Sequence, residues 1–233
     1  AEFGKTFLDA NNNPTRGIFE AYLKQVGGSV KVNLNGSRRA ETASSMKSLH
    51  LLHAMRRIAA ATDTLGSAFT YYEYDPAKGK DACPDPALET AANRRTNYNF
   101  ETGLDQMMSI SDNRTTRGTV IRYGGFAPFN TTAAAAGLTG TTLRHNIGCS
   151  YRDPATNLYS TARRNDTTAA DLARIYEGVW KDNRRRGVSK IPTWDVLHRF
   201  PSDYKVIIVG DAAMSPYEIT YPGGSVEHWN EEP

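Results

Sequence analysis

Two short motifs carry side chains that together can make a reactive alcohol. The first is Ser44-Ser45-Met46-Lys47, and the second, Ser111-Asp112-Asn113, begins 64 residues after Lys47. On a helix, positions i and i+3 share a face, so the Ser44 hydroxyl and the Lys47 amine would point the same way. A seryl hydroxyl needs an adjacent base, and a lysine can serve when burial or neighbouring charge keeps it neutral. The spacing therefore predicts Ser44 as a nucleophile, Lys47 as its base and Ser111 as the group that passes the proton on.

Each motif is weak support by itself, and the pair is stronger. With average amino-acid usage, a Ser-x-x-Lys match occurs by chance about once in a chain of this length, and Ser-Asp-Asn in roughly one such chain in thirty. The two motifs are documented to occur together in active-site-serine enzymes, with Ser-Asp-Asn downstream. The pair therefore favours one shared site over coincidence.

Together the motifs resemble those of the class A serine β-lactamase and penicillin-binding family, and the resemblance covers about residues 15–179. Asp153-Pro154-Ala155-Thr156-Asn157 is similar to the family's Glu-Pro-x-x-Asn loop, with Asp153 where the deacylating glutamate usually stands. The segment 164–168, Arg-Asn-Asp-Thr-Thr, is similar to the Asp-Thr-Thr that closes the family's omega loop. The resemblance implies an enzyme that transfers an acyl group from an amide or ester in a small-molecule or peptide substrate.

The resemblance also implies a role for each side chain in these motifs. Ser44 would attack a carbonyl, Lys47 and Ser111 would move protons, and the backbone amide of Ser44 would form part of the oxyanion hole. Asp153 would position the water that releases the acyl group. Asn113 and Asn157 would bind substrate. Aspartate is one methylene shorter than glutamate, and a displacement of about 1 Å can cost on the order of a hundredfold in rate, so a slow or stalled acyl-enzyme is expected.

The family's third motif, Lys-Thr-Gly, is absent from the whole sequence. Its absence removes the usual cation for a substrate carboxylate and leaves open which strand supplies the second oxyanion amide. A non-catalytic binding protein with a relic serine site therefore stays open as an alternative to an enzyme. An artificial chimera of two families also stays open, because a second, unrelated likeness begins near residue 176.

A second resemblance begins near residue 176. The segments 180–183, 192–197, 209–218 and 222–230 are similar to part of a bacterial von Willebrand factor A-like family. Metal-binding domains of that family carry an Asp-x-Ser-x-Ser cluster, which this sequence lacks, so neither a metal nor a cofactor is expected. Asp211 and Ser215 are interpreted as turn caps, and Glu227 and His228 as surface residues. The expected division is a β-lactamase-like region at 1–180 and a von Willebrand factor A-like segment at 181–233, packed on the first region.

Composition indicates a soluble globular chain, with 39% hydrophobic and 23% charged residues and a formal net charge of +3. The arginine pairs are spread along the sequence without interleaved aromatic residues, which argues against a nucleic-acid partner. No apolar run reaches the length of a membrane span, and the amino terminus lacks a leader-like segment, so a leader is expected to be absent from this chain. The oligomeric state stays open.

Cys83 and Cys149 are the only cysteines, and both lie in loop-like sequence. A single bridge between them would close a long loop and constrain the unfolded chain by roughly 4 kcal/mol on the entropy model. The interpretation as a disulfide is favoured over two buried thiols. It indicates an oxidising compartment, so a secreted or periplasmic bacterial protein is expected.

Hydrophobic periodicity and turn signals predict an α/β (α+β) fold in which a helical cluster packs on an antiparallel sheet, with an atypical carboxyl-terminal part. Residues 62–99 are expected to be loop-rich. A hairpin is expected at 30–42, with Asn35-Gly36 as its turn. The expected helices are 14–26, 44–61, 101–110, 115–123, 131–136 and 168–182, and the remaining late strand is 205–209.

The helix predicted at 44–61 has one apolar stripe and two histidines beside it. The stripe recurs every three residues and is predicted to be core; it consists of Met46, Leu49, Leu52, Met55 and Ile58. His50 and His53 have the spacing of zinc ligands, but no third ligand is evident nearby. Imidazoles that are hydrogen-bonded or exposed are therefore predicted.

Overall fold

The computed structural model describes residues 6–8, 14–16, 20–25, 27–41, 43–153, 155–158, 160, 162–184 and 204–209. Within these residues, a cluster of helices packs with small antiparallel sheets, which is the α/β (α+β) arrangement predicted from the sequence. The helices are α1 (Lys47–Ala59), α2 (Phe100–Ser109), α3 (Asn113–Arg122), α4 (Ala127–Ala135) and α5 (Ala169–Arg184). The strands are β1 (Thr6–Leu8), β2 (Pro14–Arg16), β3 (Glu20–Gln25), β4 (Val30–Leu34), β5 (Ala68–Tyr72), β6 (Arg94–Asn99) and β7 (Tyr204–Val209).

Strand β3 is the centre of a three-stranded antiparallel sheet with the order β4-β3-β7. Ala21, for example, pairs with Leu34 of β4 on one side and with Ile208 of β7 on the other. Helix α5 packs against β3 and β7. The sheet therefore brings residues 20–34 together with residues 204–209, and α5 connects it to the helical cluster.

The helix predicted at 14–26 is wrong, because this segment contains β2 and β3. Its apolar residues recur at helical spacing, but β3 has a neighbouring strand on each side, and such pairing overrides local periodicity. The predicted hairpin is also wrong in its register. Strand β4 pairs back to β3 around Gly27-Gly28, where Gly27 has φ +73°, and not forward around Asn35-Gly36. Ala40, in the expected return strand, pairs with Thr167 instead.

The segment 62–99 was expected to be loop-rich, and it also contains the antiparallel hairpin of β5 and β6. Phe69 of β5 is fully buried between helices α2 and α3. A Cβ at Gly103 would lie 2.5 Å from the Phe69 ring, and one at Gly118 would lie 2.6 Å from it. Glycine at both positions therefore allows the two helices to close on this strand.

Helix α1 lies in the hydrophobic core and contacts each of the other four helices. Met46, Leu49, Leu52 and Met55 are at most 1% exposed, and Ile58 is partly buried against them, which confirms the predicted stripe. Leu172 and Ile175 of α5 belong to the same cluster. No helix in the described part of the chain has the length and apolar character that a membrane crossing requires.

The predicted disulfide between Cys83 and Cys149 is confirmed. It joins the segment between β5 and β6 to the loop after α4. Strand β7 confirms the strand predicted at 205–209 and begins one residue earlier. Residues 185–203 and 210–233 lie outside the described residues, so the predicted turn caps Asp211 and Ser215 and the predicted surface residues Glu227 and His228 stay predictions.

Candidate active site

Ser44 lies in a single 3₁₀ turn, Ala43–Met46, that leads directly into α1. Ser44 is exposed, whereas Lys47, the first residue of α1, is only 2% exposed. The Lys47 Nζ atom lies 3.2 Å from Ser44 Oγ. The i and i+3 positions therefore face each other, as their spacing predicts, with the alcohol open to solvent and the amine beneath it.

Ser111 and Asn113 bring three more oxygen atoms to the same amine. Lys47 Nζ is 2.8 Å from Ser111 Oγ, 2.8 Å from Asn113 Oδ1 and 2.5 Å from the carbonyl oxygen of Ser111. Ser111 links α2 to α3 in a left-handed conformation with φ +60°. This turn lets both its hydroxyl and its carbonyl face Lys47, so two motifs far apart in sequence meet at one nitrogen.

The four contacts around Lys47 Nζ can serve a neutral amine as well as a charged one. The Ser111 carbonyl and Asn113 Oδ1 can only accept hydrogen bonds, so they take the two N–H bonds that a neutral amine has. The nitrogen lone pair is then left for a hydroxyl hydrogen, and Ser44 and Ser111 both offer one. The site is therefore built so that the nitrogen can receive a proton from a serine.

Burial lowers the pKa of Lys47 from 10.5 to about 8. The carboxylates of Asp112 and Asp81 oppose this shift, and the charge of Lys80 adds to it. Burial dominates because the charged form loses hydration when the amine is enclosed. Roughly a tenth of the amine is therefore neutral at pH 7, and the fraction grows with pH.

Asp112 fixes the start of α3, which carries Asn113. Its carboxylate is fully buried, accepts the backbone N–H of Arg114 at 2.8 Å and pairs with the Arg114 guanidinium at 2.9 Å. Arg114 also pairs with Glu73 at 2.7 Å. This capping network fixes the first turn of α3, and it therefore holds the Asn113 side chain in position to contact Lys47.

Gly148 makes room for Asn113 and was missed at the sequence level. A Cβ at Gly148 would lie 2.2 Å from Asn113 Nδ2, and the residue has φ +87°. The same Nδ2 donates to the carbonyl oxygen of Asp81 at 3.3 Å. Sequence periodicity does not identify such a glycine, because it is required by the Asn113 side chain, which lies 35 residues away in sequence. The only sequence feature that draws attention to Gly148 is its position beside Cys149.

Asp153 and Asn157 lie together in a tight turn. The Asp153 carboxylate accepts the backbone N–H groups of Ala155 at 2.9 Å and Thr156 at 3.1 Å, and these hydrogen bonds hold its pKa below the usual range. Asn157 is exposed, and its φ is +57°. Across the described residues, no hydrogen bond joins either side chain to Ser44, Lys47 or Ser111. The structure thus brings together four of the six predicted site residues and places the other two in a turn of their own.

Asp166 closes the loop that carries this turn. Thr142 and Asp166 form an antiparallel bridge, and Asp166 is 5% exposed. Its carboxylate pairs with Arg144 at 2.8 Å and with Arg164 at 2.7 Å. Both cations lie on the loop side of the bridge, so one carboxylate fastens the two ends of residues 143–165.

Asp166→Asn is expected to loosen this loop, because it removes the charge from both ion pairs while keeping the size of the side chain. Hydrogen bonds to charged groups contribute about 1.5–3 kcal/mol, and we expect a loss of stability in that range. Urea unfolding and the rate of protease cleavage within 143–165 measure the effect. Asp75→Asn, which removes an exposed partner of Lys78, is the matched control and should change stability by less than about 0.5 kcal/mol. Equal cleavage rates in the two variants would contradict the expectation.

Comparisons with known proteins agree with this fold. The sequence model of the beta-lactamase enzyme family matches residues 5–198. The fold is similar to a β-lactamase from Sphaerobacter thermophilus, with 22% identity and a TM-score of 0.50 over 68% of this chain and 55% of that one. It is also similar to a β-lactamase from Chitinophaga pinensis, with 14% identity and a TM-score of 0.54 over 70% of this chain and 57% of that one.

A third solved structure is a variant of the class A β-lactamase described as the last common ancestor of Gram-negative bacteria, with 17% identity and a TM-score of 0.51 over 70% of this chain and 57% of that one. The chain therefore spans 55–57% of the length of these three proteins. No curated protein matches the sequence. The family match covers most of the chain, including the Ser-x-x-Lys and Ser-Asp-Asn motifs. This chain belongs to the β-lactamase enzyme family.

Proposed function

We propose that this protein is an active-site-serine hydrolase or acyl transferase that forms an acyl-enzyme on Ser44 from an amide or ester bond. The observation that carries the proposal is the position of Lys47 Nζ, which lies 3.2 Å from Ser44 Oγ and 2.8 Å from Ser111 Oγ. A buried amine between two alcohols is an arrangement that can take a proton from one and return it through the other.

The proposed acylation moves one proton around this cluster. Neutral Lys47 takes the hydroxyl proton of Ser44 as Oγ bonds to the substrate carbonyl carbon, and the carbonyl π electrons move to its oxygen. The backbone N–H of Ser44 is one donor to that oxyanion. As the carbonyl re-forms, the bond to the leaving nitrogen or oxygen breaks, and Ser111 gives its proton to the leaving group. Lys47 then reprotonates Ser111, so the amine is neutral again and the acyl group stays on Ser44.

Release of the acyl group is proposed to be the slow stage. Water would attack the acyl carbon while a carboxylate takes its proton, the bond from that carbon to Ser44 Oγ would then break, and the proton would pass to Oγ to restore the serine. The family resemblance assigns the carboxylate role to Asp153. The Asp153 carboxylate is engaged by the backbone of its own turn, and its side chain is one methylene shorter than glutamate. Both features support an acyl-enzyme that accumulates. Asn113, which contacts Lys47 at 2.8 Å, and Asn157 are proposed to bind substrate.

The substrate is proposed to be a small molecule or a short peptide, because the cluster is open to solvent at Ser44. The proposal does not extend to efficient turnover of β-lactams, since the Lys-Thr-Gly motif is absent from the sequence. The disulfide supports a secreted or periplasmic location. A division into residues 1–180 and a von Willebrand factor A-like segment 181–233 is retained as a proposal, and the pairing of β7 with β3 supports packing of the second part on the first.

The experiment is covalent labelling of the folded chain with a tagged penicillin and with a tagged fluorophosphonate, followed by digestion and mass spectrometry. We expect one adduct, on the peptide that contains Ser44, and its complete loss in Ser44→Ala. Ser45→Ala is the matched control, because Ser45 is exposed in the same turn and, among the described residues, its side chain forms no hydrogen bond with Lys47. An adduct that persists in Ser44→Ala, or no adduct with either reagent, would contradict the proposal and favour a binding protein.

A further inference from the structure

Glu41 and His145 form a buried pair that the steps above do not use. Glu41 is 5% exposed, and the His145 side chain is 18% exposed. Glu41 Oε2 and His145 Nε2 are 3.8 Å apart, and in the part of the chain that the structure describes neither atom has a hydrogen-bond partner. Two buried polar atoms without partners are costly, so their facing each other calls for an explanation.

The two atoms are placed to form a charge pair. At 3.8 Å they are too far apart for a hydrogen bond but within the range of an ion pair, which requires a proton on Nε2. His145 Nδ1 lies 2.9 Å from the carbonyl oxygen of Asn146, which can only accept, so Nδ1 donates there and Nε2 is the nitrogen that faces Glu41.

The Glu41 end of this pair holds the turn of the nucleophile. Its other oxygen, Oε1, accepts the backbone N–H of Ala43 at 3.2 Å. Ala43 has φ +42°, a left-handed conformation that costs an alanine roughly 1–2 kcal/mol, and it immediately precedes Ser44. The hydrogen bond from the Ala43 backbone N–H to Glu41 therefore stabilises a left-handed conformation that is unfavourable for alanine.

The His145 end belongs to the loop 143–165. The buried side chain of Asn165 accepts the backbone N–H of His145 at 3.0 Å and donates to its carbonyl at 3.1 Å. The imidazole stacks on Tyr151, with 5.8 Å between ring centroids. The backbone of His145 is thus held by Asn165 independently of Glu41, so His145 can support that carboxylate.

We propose that the contact between Glu41 and His145 is a positioning device that holds the Ala43 turn, and with it the Ser44 hydroxyl, against the loop 143–165. Glu41 and His145 act here as positioning residues, since neither is placed on the substrate. The inference rests on the proposed acylation of Ser44. It adds to that function a support for the position of Ser44 from Glu41 and Ala43, which precede Ser44 in the sequence, whereas Lys47 follows it.

The test is a double-mutant cycle on the rate constant for labelling of Ser44. Glu41→Ala and His145→Ala are each expected to slow labelling about tenfold or more, because a displacement of about 1 Å can cost up to a hundredfold. The double variant should be no slower than the slower single variant, since both remove the same contact. His145→Gln, whose amide N–H can reach Glu41, should recover most of the rate. Urea unfolding of each variant allows correction for the folded fraction.

Each result separates the positioning role from the proposed function. A wild-type chain that takes no label overturns the proposed function. A labelled wild type whose single variants react at the wild-type rate, whose two effects simply add, or whose His145→Gln variant is as slow as His145→Ala overturns the positioning role alone.

Discussion

Lys47→Arg is expected to slow acylation of Ser44 by about 10²–10⁴-fold, the usual contribution of a positioned proton acceptor. Arginine keeps its positive charge at any pH at which the protein is folded, so it cannot take the Ser44 proton. Lys47→Met tests the same point with an uncharged side chain of similar length and should be equally slow. The measurement is the second-order rate of labelling, corrected for the folded fraction by circular dichroism.

The pH dependence of wild-type labelling follows from the lowered pKa of Lys47, about 8. The neutral amine is the active form, so the rate should rise about tenfold per pH unit below 8 and level off above it. In Lys47→Met this slope should disappear. A wild-type rate that is flat between pH 6 and 9, or a Lys47→Met variant that labels as fast as wild type, would remove Lys47 from the role of base.

Acid is expected to destabilise the fold, because two histidines are buried in the core. His50 donates from Nδ1 to Thr119 Oγ1 at 2.8 Å, since the Thr119 hydroxyl gives its own hydrogen to the Thr116 carbonyl. His53 Nδ1 contacts Thr132 Oγ1 at 2.7 Å. These contacts confirm the prediction of hydrogen-bonded imidazoles, and neither Nε2 atom has a partner within the described residues.

The sign of the effect follows from the direction of the pKa shifts. Burial, with a smaller contribution from Lys47, lowers the pKa of His50 from 6.5 to about 3, and burial lowers that of His53 to about 4. The unfolded chain therefore binds more protons, so stability is full above pH 6.5 and falls as the pH drops below it. At about 1.4 kcal/mol per unit, His50 alone should cost about 2 kcal/mol at pH 5.

Urea unfolding between pH 7.5 and 5 measures this loss. Lys47 contributes little to it, because Lys47 is mostly protonated in both states over this range, and Asp63, whose pKa is lowered to about 2, changes only at lower pH. His50→Asn keeps a donor for Thr119 and removes the titration, so its stability should be lower overall but should fall less between pH 7.5 and 5. An unchanged slope in His50→Asn would show that this imidazole is not the acid-sensitive group.

The part of the site that depends on short spacing could be predicted from the sequence. Ser44 and Lys47 face each other because a helical turn forces them to, and the co-occurrence of the two motifs added Ser111 and Asn113. Glu41 could not be predicted in this way. Its partners are the backbone of Ala43 and a histidine more than a hundred residues away, and no periodicity records such a contact.

The fold shows the same limit. The apolar stripe of α1 predicts its own burial, because the helix must cover one face with core. Strand β3 has apolar residues at helical spacing, and only its two partner strands make it extended. Strand β6 lacks a regular alternation of buried and exposed residues, and its pairing with β5 shifts register between Phe69 and Tyr71. Local patterns therefore succeed where one element decides its own shape and fail where distant pairing decides it.

Of the two strands that pair with β3, β4 is synthesised directly after it, beginning at Val30, whereas β7 begins about 180 residues after β3, at Tyr204. During synthesis, the helical cluster emerges from the ribosome while one side of β3 still offers bare N–H and C=O groups. An open edge of this kind can recruit a strand from another chain. Pairing of residues 204–209 with β3 therefore competes with association between neighbouring nascent chains. Pairing across such a long sequence separation is intrinsically slow.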